Sequence, residues 1–363
     1  MKDKRLIYGI LAGVAAVLLH LLLTVYAVDF ETQTGIFALL CLSLILMEGH
    51  ADYFKLGHAA GYGIFIFLLI TSPMFLNRYW VDVLNNVGLY ALLGLSLNII
   101  LGNAGLFNMG HAAFYAVGAY TAAIVNTQYG VPVLWLIPAA GLIAGLFAAV
   151  VARPIIHLRG DYLLIVTIGF VEIIRIALVN NVFGITGGAN GIFGIARPEL
   201  FGHKIHKPHE FFYLIWFFVA LTVVLFYRLE QSRFGRALNF LREDEVAAQG
   251  SGIDTAHYKL MAFILGATWA GMAGVLYSAK MTIISPESFS FWESVLVFLI
   301  VILGGSGSIP GAILGAFLIV GLPEIFRGFA NARMLVFGAA MMLMMIFRTQ
   351  GILPSRARRF QTD

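Results

Sequence analysis

Apolar positions along the chain fall into long runs separated by short polar breaks. The runs occupy residues 6–28, 35–47, 57–76, 83–101, 109–125, 131–151, 162–179 and 211–227, and four more follow at 260–279, 292–303, 309–322 and 334–347. Most are long enough to cross a hydrocarbon core of about 30 Å as a helix rising about 1.5 Å per residue. The run 35–47 is short for a crossing, as are the pair at 292–303 and 309–322. That pair flanks Gly304, Gly305 and Gly307, which predicts two half-helices meeting at a break. The expected fold is all-α, a polytopic transmembrane helical bundle of about ten to twelve membrane segments.

Composition sharpens this picture. Hydrophobic residues make up 60% of the chain and charged residues 12%, about half the charged share of a soluble domain. Too few polar residues exist to cover a water-facing core, so the apolar runs must face lipid or one another. The first run follows Lys2, Lys4 and Arg5 and is interrupted only by His20 and Thr24. It exceeds the roughly 7–15 residues of a cleavable signal core and reads as an uncleaved first span. Cys41 is the only cysteine, which excludes an intrachain disulfide. A net charge of +4 is the modest basic excess that cytoplasmic loops give a membrane protein and implies no nucleic-acid partner.

Lys and Arg collect at the N-terminus, in the loop with Arg153 and Arg159, in the loop with Arg228, Arg233, Arg236, Arg242 and Lys259, and in the tail with Arg348, Arg356, Arg358 and Arg359. Even numbers of runs separate the first three clusters, so these fall on one side, and the positive-inside rule makes that side cytoplasmic. Both termini are then expected in the cytoplasm. The loop 180–210 falls outside although it carries Arg197, Lys204 and Lys207.

Residues 42–63 repeat at an offset of 53, with 11 of 22 positions identical, including Gly57-His58-Ala59-Ala60 against Gly110-His111-Ala112-Ala113. The offset spans two runs, so the copies share an orientation, and a duplicated N-terminal helical hairpin is expected.

Several polar groups could carry function. Residues 228–259 form a long loop in which Arg233 to Gln249 has helical character and Gly250-Ser251-Gly252 can stop a helix. Small Ala247 and Ala248 would let a helix there dock into a groove on a partner; the alternative is a solvated connector. Glu172 and Arg175 share one helix face within a span. Each would cost about 2.5–3.5 kcal/mol at the membrane centre, so they either pair to fix packing or face a path or subunit interface. The glycines of Thr186-Gly187-Gly188-Ala189-Asn190-Gly191 could expose amides to a carboxylate, form a tight outer turn, or dock a binding protein. His203, His206 and His209 recur every third residue, but Pro208 breaks helical geometry between them and argues against a metal site. For His58 and His111, packing or a backbone hydrogen bond is favoured over a proton relay. None of the seven lysines sits in a phosphate-binding loop. Intramembrane ionisable residues are too few and dispersed for an enzyme site.

Glu245-Val246-Ala247-Ala248 followed by Gly252 resembles the EAA loop of bacterial ABC-import permeases. From residue 83 to 354 the chain is similar to the LivM-like permeases of high-affinity branched-chain amino-acid importers. The motifs are Asn98 with Gly110 to Tyr115, Leu158-Arg159-Gly160-Asp161-Tyr162-Leu163, the Thr186 loop, the EAA segment, Leu303 to Gly311, and Phe347 to Pro354. The resemblance implies a core at 83–354, extra spans with the first repeat copy at 1–82, and a cytoplasmic tail at 355–363. It implies an ABC importer in a bacterial inner membrane, with a second related permease, two cytoplasmic ATPase subunits that use ATP and Mg, and an external solute-binding protein. No cofactor is expected on this chain. Arg242, Glu245, Ala247, Ala248 and Gly252 would meet the ATPase, and Asn98, His111, Glu172, Arg175, Thr186, Gly187, Gly188 and Asn190 are path candidates. The expected cargo is Leu, Ile or Val. A urea or short-amide permease would share nearly all these motifs, and an ion-driven secondary transporter is the rival from another class.

Overall fold

Residues 69–158, 160–200, 202–325, 338, 342 and 351–353 are described by the structure, a computed structural model. The runs at 6–28 and 35–47, most of those at 57–76 and 334–347, the first repeat copy at 42–63 and the tail 355–363 lie outside the described residues.

Helix α1, Arg78–Asn98, continues through a π-helical turn at Ile99–Asn103. Then come α2 (His111–Tyr129), α3 (Val133–Ile155), α4 (Asp161–Val179) and α5 (Pro208–Gln231). Two short helices follow, α6 (Arg233–Glu243) and α7 (Glu245–Gly250), before the long α8 (Thr255–Met281). The series closes with α9 (Phe291–Gly304), α10 (Ile309–Ala316), a second π-turn at Phe317–Gly321 and α11 (Leu322–Ile325). Strand is confined, among the described residues, to two antiparallel pairs of two residues each: β1 (Ile192–Phe193) with β4 (Ile283–Ile284), and β2 (Glu199–Leu200) with β3 (His203–Lys204). Six of the described helical stretches are long and apolar enough to cross a membrane. The all-α polytopic expectation therefore holds.

Burial sorts these helices into layers. The span containing α1 is 89% buried, whereas that of α4 is only 17% buried, with Ile165, Ile173 and Ile176 pointing outward. So α1 is the central post and α4 lies at the periphery, facing lipid or another chain. Helix α8 packs between α2 and α3 through glycines: a Cβ on Gly118 would overlap the Gly271 backbone, and one on Gly274 would overlap the Tyr115 carbonyl. Lipid offers no hydrophobic drive for helix pairing, so close backbone approach through small residues supplies the dispersion contact instead. The opposite face of α3 exposes Trp135, Leu142, Leu146 and Val150.

The chain breaks after Gly304 as expected, but the stretch before it, Pro286–Gly304, is long and apolar enough to cross a membrane, so the break is the turn of a hairpin and not a meeting of two half-helices. Gly304 packs on Gly311 and Gly315 on Ile300, so α10 runs back antiparallel to α9. Gly305 (φ 118°) and Gly307 (φ 82°) make the turn in the left-handed region open to glycine. Ser308 caps α10 by accepting from the Gly311 amide at 3.1 Å. The Leu303 and Gly304 carbonyls accept from the Ile352 and Leu353 amides, both at 2.9 Å. These bonds satisfy backbone that a broken helix would otherwise leave open.

Loops gather at two opposite ends. At one, Asn126 links the α2–α3 turn to Ala196, Asn85 reaches the Pro208 carbonyl, and β1 pairs with β4. At the other lie the π-turn after α1, the α3–α4 turn, the α5–α8 connection, the α9–α10 turn and residues 351–353. Arg153, Arg228, Arg233, Arg236, Arg242 and Lys259 all belong to this second, basic end.

Candidate functional site

The connection 232–254 at the basic end was expected to hold one helical stretch from Arg233 to Gln249. Two helices form there because Asp244 adopts an extended backbone and uses its Oδ1 to accept from the Val246 amide at 2.8 Å and the Ala247 amide at 3.0 Å. A side chain that caps a new helix ends the preceding one. Helix α6 is amphipathic and buries Gly235, Ala237, Leu238 and Leu241. Helix α7 ends where expected: the Gly252 amide donates to the Gln249 carbonyl and the Ile253 amide to the Ala248 carbonyl, at 3.0 and 3.1 Å, with Gly252 at φ 84°. This is a Schellman turn, which needs a left-handed residue at that position.

One face of α7 is held to α8. The Glu245 carboxylate accepts from Lys259 Nζ at 2.6 Å, Gln249 Nε2 donates to Thr255 Oγ1 at 2.9 Å, and Ala248 is buried. The Lys259 side chain is only 5% exposed, so the ion pair compensates a charge that burial would otherwise penalise. The other face, with Val246, Ala247, Gly250 and Gly252, is open. At the seam between α7 and α8 a cleft of about 550 Å³ is lined by Ile156 and His157 of the α3–α4 turn, by Glu245, Gln249 and the 252–254 turn, and by Thr255, Ala256 and Lys259 of α8. The proposed contact set thus divides: Ala247 and Gly252 face outward, whereas Glu245 and Ala248 fix α7 to its own chain.

Arg242 links this segment to the helical core. Its Nη1 donates to the Gly102 carbonyl at 2.5 Å, inside the π-turn that ends α1, and Gly105 packs on the same side chain. A π-turn leaves carbonyls out of the regular helical ladder, and the guanidinium takes one of them. On the other side of that turn Asn98 Oδ1 accepts from the Gly307 amide at 2.8 Å. A Cβ on Gly102 would overlap both Asn98 Oδ1 and the Gly307 nitrogen, so this approach requires glycine. Asn103 Nδ2 donates to Glu230 Oε1 at 3.4 Å, joining the same turn to the end of α5. The α6–α7 segment, the π-turn and the α9–α10 turn therefore form one contiguous network. Sequence reasoning singled out Arg242, Asn98 and Gly307 separately and gave no sign that they meet.

The remaining candidates separate. His111 is fully buried at the start of α2, with Nε2 at 2.7 Å from Ser96 Oγ. Ser96 already donates to the Leu93 carbonyl, so the imidazole is the donor to it and the contact serves packing. Glu172 and Arg175 do pair, at 2.8 Å, and Arg175 reaches Glu287 at 3.5 Å, toward the end opposite the α6–α7 segment. In the Thr186 loop, Asn181 Oδ1 accepts from the Thr186 and Gly187 amides at 2.9 and 3.1 Å, and the Gly191 amide donates to the Gly188 carbonyl. Asn190 sits in the short helical turn between them, and Gly191 packs on Ile284. The geometry there is that of the tight turn. His203 pairs with Glu210 and His206 lies against Arg197, and among the described residues no His, Cys, Asp and Glu group forms a metal-binding cluster.

Residues 79–346 match a family model described as branched-chain amino acid transport system / permease component. The chain is 41% identical over 310 residues to the high-affinity branched-chain amino acid transport system permease protein LivM of Escherichia coli K12, covering 79% of this chain and 73% of the relative. It is 30% identical over 290 residues to the permease protein BraD of Pseudomonas aeruginosa, covering 73% of this chain and 91% of that relative. It is 29% identical over 256 residues to the permease protein LivH of Salmonella typhimurium, covering 65% and 80%. No solved structure matches the chain.

Proposed function

Because this chain belongs to the family of branched-chain amino acid transport permease components, we propose that it carries Leu, Ile or Val across a bacterial inner membrane as one membrane-spanning subunit of an ABC importer. ATP is hydrolysed in two separate cytoplasmic subunits, and a second related permease completes the channel. A solute-binding protein delivers the cargo outside. The basic end of the bundle is cytoplasmic, following the distribution of Lys and Arg, and the chain is a transporter component with no catalytic site of its own.

The observation that carries this reading is the contact of Arg242 with the Gly102 carbonyl, one turn from the Asn98–Gly307 bond. An ATPase seated against the outward face of α7 moves α7 together with α8, to which Glu245–Lys259 and Gln249–Thr255 tie it, and pushes on α6 through the single residue Asp244 that joins them. Arg242 transmits that motion to the π-turn, and Asn98 passes it to the turn between α9 and α10. Glycine at 304, 305 and 307 makes that turn the place where the bundle can change shape.

Replacement of Gly252 by Trp tests the docking. It places bulk on the open face and strains a left-handed position. The assembled importer should still hydrolyse ATP while amino-acid uptake is lost; uptake at the wild-type rate would contradict the assignment.

A further inference from the structure

At the end of the bundle away from the α6–α7 segment, one face of α1 is polar. Asp82, Asn86 and Tyr90 are spaced four apart, and every other position from 81 to 90 is buried. Residues four apart share a helix face. Lys280, near the end of α8, donates to Asn86 Oδ1 at 2.5 Å and pairs with Asp82 at 2.9 Å; its side chain is 8% exposed, whereas that of Asp82 is 49% exposed. Glu293, in the first turn of α9, accepts from the Tyr90 hydroxyl at 2.6 Å. That bond is the carboxylate's only one among the described residues, and no cation pairs with it there. Tyr90 lies about 18 Å along α1 from Arg78, near the middle of the span. A carboxylate at that depth with a single neutral donor is costly unless it faces a cavity or meets a cation.

The layout complements an α-amino acid. Asn86 and Tyr90 are one turn apart, about 6 Å along the axis, so their partners Lys280 and Glu293 bring a cationic and an anionic side chain to successive turns of one helix face. Tyr277 lies one turn before Lys280 on α8. It packs edge-on with Phe289 and in a tilted arrangement with Tyr115, giving an apolar wall. We propose that this stripe is a transit site for the cargo: Glu293 and Tyr90 receive the α-ammonium, Lys280 and Asn86 receive the α-carboxylate, and the aromatic wall takes the branched side chain. Asp82 holds Lys280 when the site is empty and yields it to the arriving carboxylate. The inference rests on the amino-acid import reading above.

Uptake of labelled leucine by the complete importer in proteoliposomes, with its binding protein and ATP, tests it. Glu293→Gln and Lys280→Met should each lower uptake by about tenfold or more, the scale of losing one desolvated charge contact. ATP hydrolysis stimulated by the loaded binding protein should persist in both. Wild-type uptake in both variants would overturn the transit site, and so would loss of assembly in both, which would make the residues structural. A wild-type complex that hydrolyses ATP but imports none of Leu, Ile and Val would refute the import reading itself.

Discussion

The side chain of Asn98 accepts a hydrogen bond at 2.8 Å from the amide of Gly307, 209 positions away in the chain. It fastens the basic end of the central helix α1 to the turn of a helical hairpin. Asn98 is 3% exposed and Gly307 partly buried, so the bond is largely shielded from water.

Asn98→Leu leaves the Gly307 amide without its acceptor. The expected loss of stability is about 1–3 kcal/mol, read as a lower thermal unfolding temperature of the detergent-purified complex. An unchanged transition would show that the hairpin turn does not depend on this bond.

The Glu245–Lys259 pair predicts an asymmetry. Lys259 is 5% exposed and Glu245 24% exposed. Glu245→Gln removes the carboxylate from an ammonium with almost no access to water, while Lys259→Met leaves a carboxylate that can still reach it. The first should therefore destabilise more than the second, both below the roughly 3–5 kcal/mol of a fully buried pair. A double-mutant cycle on unfolding checks this; the reverse order would mean that Glu245 is used mainly by a partner.

Asp244→Ala removes the cap that separates α6 from α7. The cost should be about 0.5–2 kcal/mol, felt locally as faster hydrogen exchange at the Val246 and Ala247 amides that Asp244 holds. Equal exchange in the two proteins would rule out the capping role.

Features with a local cause were legible in the sequence. Apolar runs placed the helices to within a few residues: 162–179 against the observed Asp161–Val179, and 131–151 against Val133–Ile155. The Glu172–Arg175 pair followed from a spacing of three on one helix, and the turn at 305–308 from its glycines. Contacts between distant segments left no such trace. Lys280 reaches Asn86 across 194 positions and Tyr90 reaches Glu293 across 203. Lys280 and Glu293 lie at the edges of apolar runs, where a charge ordinarily marks the membrane surface. The resemblance pointed Glu245 to an outside partner, and its carboxylate also accepts from Lys259, one turn into α8, a contact that left no trace in the sequence.

The central claim is that mechanical work enters the bundle through Arg242 and the π-turn it grips. Arg242→Ala removes that grip while leaving the open face of α7 in place. Measuring leucine taken up per ATP hydrolysed by the reconstituted importer tests it most directly. The account predicts that hydrolysis continues while uptake per ATP falls severalfold or more; a ratio equal to that of the wild-type complex would contradict it.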